Sequence, residues 1–291
     1  MRPRLYKSFE LKNGYSPIVN PENSELRYIE FGRLLLSKKS DEYKDETRNR
    51  EAVLTIFGGT CNVEIECPSQ KVSSKMIGYR ADVFSGKPTM VYLPRRSKYR
   101  VVAKSPMLEI GVSKAPSESD YPPVIVKPED VIEKFVGARN WRRKVYTSIG
   151  DNVRAQRLIV GETLNPPGNW SSWPPHKHDV KSLSEAPLEE VYFFKIKPSQ
   201  GFGLQMIYTS PEDNESFDEV YVVKNNNTIA IPRGYHPVVA APGYQLYYLW
   251  ILAGHERRHG ASSADPEHSW LKSCEPILSD ALGSGLCERQ V

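Results

Sequence analysis

The first 175 residues of this 291-residue chain contain no histidine; His176, His178, His236, His255, His259 and His268 all lie beyond them. Imidazole chemistry, if the protein uses it, therefore belongs to the second half. Long apolar runs are also missing. The longest, Leu246–Ala253, has eight residues, far short of the ~18 that a membrane span requires. Charge of one sign is scarce, with 39 Lys and Arg against 35 Asp and Glu, a net +4. That excess excludes a strongly basic nucleic-acid binder and only permits an anionic small-molecule substrate. Basic residues follow Met1 with no apolar stretch behind them, so no secretory signal is expected. Cysteine is sparse, and Cys61 and Cys67 fall in one expected strand. Six residues at ~3.3 Å each hold them about 20 Å apart, beyond disulfide reach. The expectation is a cytoplasmic protein with free thiols and no membrane partner.

Proline is plentiful instead, at 23 residues, about 8% against a typical ~5%. Together with 19 glycines it predicts many turns and few helices. Val53–Phe57, Gly58-Gly59 and Cys61–Ile65 read as a hairpin with a Gly-Gly turn. Further short strands are expected at Met90–Leu93, Tyr99–Ala103 and Leu108–Val112. The proline-rich stretch Ala115–Pro128 reads as a linker, and Pro128–Val136 as the one helix near it. Beyond it, strand patterns recur at Lys144–Ile149, Ala155–Thr163, Glu190–Ile196, Gly203–Thr209, Glu219–Lys224, Thr228–Ile231 and Gln245–Leu252. Asn225–Asn227 forms a turn. The fold class is all-β, two β-sandwich or barrel domains with few short helices. The expected boundaries are residues 1–127, residues 128–275 and a tail at 276–291.

The sharpest chemical signal is Trp173-Pro174-Pro175-His176-Lys177-His178-Asp179. Residues two apart on a strand share a face, so His176 and His178 project together and Lys177 away, toward solvent. Twelve residues past His178, Glu190 opens the apolar run Val191–Phe194. Further on, Pro232-Arg233-Gly234-Tyr235-His236 sets another histidine after a turn. This order of motifs resembles the two signatures of the cupin superfamily.

With Gly168–Asp179, Leu188–Tyr192, Gly201–Gln205 and Pro232–Pro237 together, the chain is similar to the 5-deoxyglucuronate isomerase family of myo-inositol catabolism. The likeness is strongest over residues 150–271 and fainter over 25–112. It implies a bicupin, in which each half is a double-stranded β-helix and the second carries the metal. The implied ligands are His176, His178, Glu190 and His236, holding one divalent ion per chain, zinc first, then manganese or iron. The implied reaction is aldose–ketose isomerisation of 5-deoxyglucuronate to 2-deoxy-5-keto-gluconate through a metal-stabilised enediolate. Isomerisation of another uronate such as 5-keto-4-deoxyuronate, an iron-dependent oxygenase and a non-catalytic sugar-acid-binding cupin are the alternatives.

Tyr192, Gln205 and Tyr235 are the catalytic candidates. Tyr192 shares the face of Glu190, Gln205 lies on a strand expected to line the barrel, and Tyr235 abuts His236. Arg257 and Arg258 are candidates for a substrate carboxylate, with a solvated basic loop around His255 and His259 as the other reading. The chain departs from the family at Phe194-Lys195, where a His-Arg pair is common, at Met206, where Arg is common, and at His255, where Pro is common. Exposed sheet edges suggest a homo-oligomer.

Overall fold

The computed structural model describes residues 1–7 and 12–280 and is built almost entirely of strands. In the first half, Val124–Val126, Met90–Leu93, Arg50–Gly58, Leu108–Pro116, Glu30–Leu36 and Gly14–Val19 form a six-stranded sheet in that spatial order. A four-stranded sheet of Glu42–Glu46, Lys98–Ala103, Thr60–Cys67 and Gln70–Gly78 covers one of its faces. The second half repeats this plan. Its large sheet orders Arg4–Tyr6, Thr228–Ile231, Leu188–Lys197, Gln245–Gly254, Ile159–Asn165, Arg143–Ile149 and Ile132–Val136. Trp170–Ser171, Val238–Ala240, Phe202–Tyr208 and Asp218–Lys224 make the small one.

Burial follows from the layering. Each small sheet has one wet face, and its strands alternate; in Thr60–Cys67 the odd-numbered residues are buried. Both large sheets are covered twice, once by their own small sheet and once by each other. Their central strands, Arg50–Gly58 and Leu188–Lys197, are therefore buried almost without a break. Leu34, Leu54, Ile56, Val63, Val101 and Ile110 fill the first sandwich. Tyr192, Phe194, Ile207, Ile231, Tyr248 and Trp250 line the second. Between the halves Phe31, Val53, Phe57 and Tyr92 meet Val191, Phe193, Tyr247 and Leu249, with Phe57 stacked on Phe193 at 5.1 Å.

Two matching carboxylates lock this interface. Glu51, in the first half, accepts the backbone N–H groups of Gln156, Arg157 and Leu158. Glu189, in the second, accepts those of Arg27, Tyr28 and Ile29. Each triplet immediately precedes the corresponding strand of the opposite half. The registers agree as well, since Ala52 pairs with Leu93 where Glu190 pairs with Ile231. The two halves are copies of one frame related by a pseudo-twofold. Arg80 and Glu162 add a fully buried ion pair across them, shared with the Tyr247 hydroxyl.

Several local expectations give way to this architecture. Arg50–Gly58 and Thr60–Cys67 are not a hairpin: Gly59, at φ +98°, turns the chain from the large sheet into the small one. A strand–Gly-Gly–strand pattern cannot tell a hairpin from a sandwich corner, because both need only a reversal with positive φ. Pro128–Val136 is not a helix either. A 3-10 turn at Pro128–Asp130 leads into Ile132–Val136, an edge strand paired with Arg143–Ile149. The α-helix of the described residues is Leu271–Asp280, so residues 276–280 complete a helix, while 281–291, with Cys287, lie outside the described residues. Cys61 and Cys67 share one strand as expected and are free. Among the described residues no helix is long and apolar enough to cross a membrane.

Candidate metal centre

Three second-half elements converge inside the sandwich. His176-Lys177 forms a short ladder with Ser263-Ala264, after two prolines that keep the approach extended. Glu190 lies near the start of the central strand. His236 follows a turn whose Gly234 adopts φ +98°, and a Cβ there would meet Tyr208 O at 2.7 Å. Ligand atoms of His178, Glu190 and His236 gather within 4.8 Å of one another, all three residues buried. His176 stands beside that group, its ring 4.9 Å from that of His236 and 6.3 Å from that of His178.

Hydrogen bonds fix the tautomers. His178 Nδ1 lies 2.7 Å from Leu188 O, and His236 Nδ1 lies 2.8 Å from Gly234 O. A carbonyl only accepts, so each Nδ1 carries a proton and, in the neutral ring, each Nε2 presents a lone pair. Both Nε2 atoms stand 3.2 Å from the same oxygen, Glu190 Oε2. His236 Nε2 is sealed from solvent and lacks hydrogen-bond alignment with any partner. Lone pairs facing a carboxylate oxygen in a buried site require a proton or a cation between them. The donor set therefore fits a divalent metal.

The electrostatics concentrate on Glu190. Burial lowers His178, but the hydrogen bond and charge of Glu190 outweigh burial and raise the imidazole, drawing a proton or a cation to this spot. Burial alone would raise the Glu190 carboxyl, but the two flanking imidazoles outweigh it and hold it down to about 2. Desolvation, reinforced by His236 and His178, pushes His176 well below the usual histidine value and keeps it neutral. Neutral imidazole and ionised carboxylate are the forms that ligate.

His176, His178 and Glu190 open into a cavity of about 180 Å³, walled further by Arg143, Ser172, Tyr192, Tyr248 and His259. Tyr192 shares a hydrogen bond with Ser172 Oγ at 3.0 Å. Tyr248 shares one with Ser171 Oγ at 2.5 Å. Desolvation, then the Glu190 charge, raises the Tyr192 hydroxyl well above its ordinary value, so it keeps its proton.

The other sequence candidates lie behind or outside this cavity. Gln205 is buried and donates from Nε2 to His236 O at 2.8 Å and Pro237 O at 3.1 Å, bracing the ligand's backbone. Tyr235 packs on Tyr208 in a neighbouring surface pocket and does not reach the lining. Lys177 faces away from the ligands but is not solvated: Asp179 and Glu185 bind it at 2.5 and 2.9 Å and tie down the inserted 180–188 loop. Arg257 donates to Leu158 O and Gly150 O, and Arg258 to Ser182 O, Leu183 O and Glu185 O. Both arginines hold loops.

Three lining residues escaped sequence reasoning. Arg143 lies within an Arg-Arg-Lys run, where only its sharing a face with Val145 marks it as inward. Tyr248 sits in an unbroken apolar run that offers no period. His259, read as part of a solvated loop, stacks on Trp250 at 6.2 Å and lines the cavity. Phe194, Lys195, Met206 and His255, where the chain departs from the family pattern, are all absent from the cavity wall. Lys195 instead pairs with Glu109 of the first half at 2.8 Å.

Comparison with known proteins agrees with this arrangement. The chain is 38% identical over 255 residues to 5-deoxy-glucuronate isomerase of Geobacillus kaustophilus (strain HTA426), covering 87% of this chain and 89% of that one. Against the Bacillus subtilis (strain 168) protein of the same name it is 35% identical over 273 residues, covering 92% and 97%. The crystal structure of an IolB-like protein from Salmonella typhimurium LT2 superposes with a TM-score of 0.85 at 30% identity, covering 92% of this chain and 99% of that one. Lactobacillus farciminis oxalate decarboxylase, at 12% identity, a TM-score of 0.66 and coverage of 95% and 91%, shares the fold alone. The KduI/IolB family model matches residues 5–271, and the chain belongs to that family.

Proposed function

We propose that this protein isomerises 5-deoxyglucuronate to 2-deoxy-5-keto-gluconate in the cavity of its second half, with one divalent metal ion per chain. The observation that carries the reading is the pair of imidazole lone pairs aimed at one carboxylate oxygen. The relatives of the same name support the substrate. His178, Glu190 and His236 would hold the ion, with His176 as the fourth ligand. Zinc suits the nitrogen and oxygen donors, and the chemistry needs no redox change.

The reaction moves a proton from C2 to C1 and the hydroxyl proton from O2 to O1 of the open-chain sugar acid, so that the C2 hydroxyl becomes a ketone and the C1 aldehyde a primary alcohol. A bound divalent ion supplies Lewis-acid stabilisation of the negative charge that develops on oxygen. The chain supplies the rest. Tyr192, kept protonated, donates a hydrogen bond to a substrate oxygen and takes no proton from carbon. His259, lowered by burial against the weaker pull of Asp151, is neutral and bears no ligand role, which suits it to carry the proton. Gln205 is a positioning residue acting through the His236 backbone. Acting on a small intermediary sugar acid, the protein would work in the cytoplasm.

Metal analysis of purified protein with an NMR assay tests the proposal. About one divalent ion per chain and conversion of 5-deoxyglucuronate are expected. Conversion of 5-keto-4-deoxyuronate alone would reassign the substrate, and bound metal without turnover of either would leave a binding protein.

A further inference from the structure

Arg143 is 9% exposed, and among the described residues it forms no ion pair. Its Nη1 donates to two backbone carbonyls, Trp141 O and Trp173 O, both at 3.1 Å. Nε and Nη2 have no acceptor among the described residues, yet neither is sealed from the cavity. A buried guanidinium held on one side by neutral carbonyls has no anion in contact with it, Glu275 acting on it only from a distance, and such a charge requires one. The other large buried cations have theirs: Arg80 binds Glu162, and Arg33 and Lys195 share Glu109.

The free edge, Nε with Nη2, is the two-toothed fork that matches a carboxylate. Apart from its histidines, the cavity wall has no other cationic side chain. Lys177 is occupied by Asp179 and Glu185, and Arg257 and Arg258 by carbonyls. Glu190, the only acidic side chain in the wall, is taken up by the imidazoles.

We infer that Arg143 is the specificity residue that grips the carboxylate of the sugar-acid substrate, at the end of the molecule opposite the carbons that exchange the proton. This deepens the isomerase reading and rests on it. The ion site and the guanidinium then divide recognition, one taking the carbonyl end and the other the acid end. A neutral sugar of the same length leaves Arg143 buried and unpaired, which is how the cavity rejects it.

The test compares kcat/KM for 5-deoxyglucuronate and its methyl ester in wild type, Arg143→Gln and Arg143→Lys. Metal content and calorimetric affinity for D-gluconate are measured alongside. In Arg143→Gln the acid is expected to lose roughly 100-fold, mostly in KM, with the ester little changed and the metal retained. Arg143→Lys keeps the charge without the fork and loses about 10-fold. Equal losses for acid and ester, or an unchanged acid preference, would overturn the assignment. If wild type converts neither compound, the isomerase reading fails and gluconate decides Arg143 alone: weaker binding by the Gln variant supports the grip, unchanged binding refutes it. If the Gln variant does not fold, the Lys variant carries the same comparisons, and wild-type affinity in it would refute the fork.

Discussion

The two halves share strand order, register and even their locking carboxylates, but only one has kept room for chemistry. Where Glu190 pairs with Ile231, the first half pairs Ala52 with Leu93. Five residues past those partners the second half has His236 and the first has Lys98, each after a Pro-Arg turn. The first interior is closed by Leu34, Leu54, Ile56 and Val101, all fully buried or nearly so. The second replaces such residues with Tyr192 and Tyr248, whose hydroxyls pair with those of Ser172 and Ser171 around a hollow. A sandwich thus tolerates a polar cavity when its hydroxyls are paired and a twin sandwich supports it from behind.

Exchanging the decisive residues between the halves breaks the comparison most severely. Glu190→Gln removes the charge between the two imidazoles. It should abolish metal retention and lower kcat/KM by at least about 1,000-fold, checked by metal analysis and the NMR assay. Ala52→Glu, its mirror, should not create a second site. It places a carboxylate among aliphatic side chains with no donor near it, and should cost at least about 3 kcal/mol in denaturant unfolding. Metal uptake by that variant would show that the frame alone makes the site.

The locking carboxylates sharpen the comparison at the next level. Glu51→Gln and Glu189→Gln each set an amide NH₂ against backbone donors and should cost about 1.5–3 kcal/mol. The Glu51 variant should lose the more, because Glu51 Oε2 also accepts the Tyr92 hydroxyl at 2.8 Å. Their pH behaviour adds a check on Glu189. Burial raises its carboxyl above the ordinary range, and the three amides from Arg27, Ile29 and Tyr28 only partly offset this. In that window the folded state binds more proton than the unfolded chain. Stability at this group therefore falls as pH rises from the ordinary carboxyl range through the raised value, then levels. Unfolding free energy against pH should lose that segment in Glu189→Gln.

Much of this contrast can be read in the sequence, because both of its causes are local. Period-two alternation marks the strands, and the absence of histidine before His176 assigns the chemistry to one half. Glu190 is distinguished from Glu189 by facing alone, and the structure puts one beside the imidazoles and the other on the backbone of the opposite half. Long-range facts are what stay hidden. Which member of Arg142-Arg143-Lys144 turns inward depends on where the carbonyls of Trp141 and Trp173 meet. That Lys177 is ion-paired instead of solvated depends on Glu185, inside an inserted loop with no recognisable pattern. The sheet change at Gly59 looks locally like a hairpin because the competing partners, Met90–Leu93 and Leu108–Pro116, lie 30 or more residues away.

The smallest expected effect separates frame from function at one matched turn. Gly234 and Arg96 occupy the same place, two residues before His236 and Lys98, and both have positive φ, +98° and +58°. At Gly234 a Cβ would strike Tyr208 O at 2.7 Å, and the same residue's carbonyl fixes the His236 tautomer. At Arg96 the side chain is already accommodated and pairs with Asp120 on the surface. Arg96→Gly relieves an unfavourable φ but gives up that ion pair and adds freedom to the unfolded chain, so stability should move by less than about 1 kcal/mol. Gly234→Ala should cost more, about 1–3 kcal/mol of strain, and it also shifts the Nδ1–H acceptor of His236, which should weaken metal affinity about 10-fold. A metal titration in which both variants match wild type would mean that the turn only closes the sandwich and that His236 is oriented from elsewhere, with Gln205 the remaining support for its backbone.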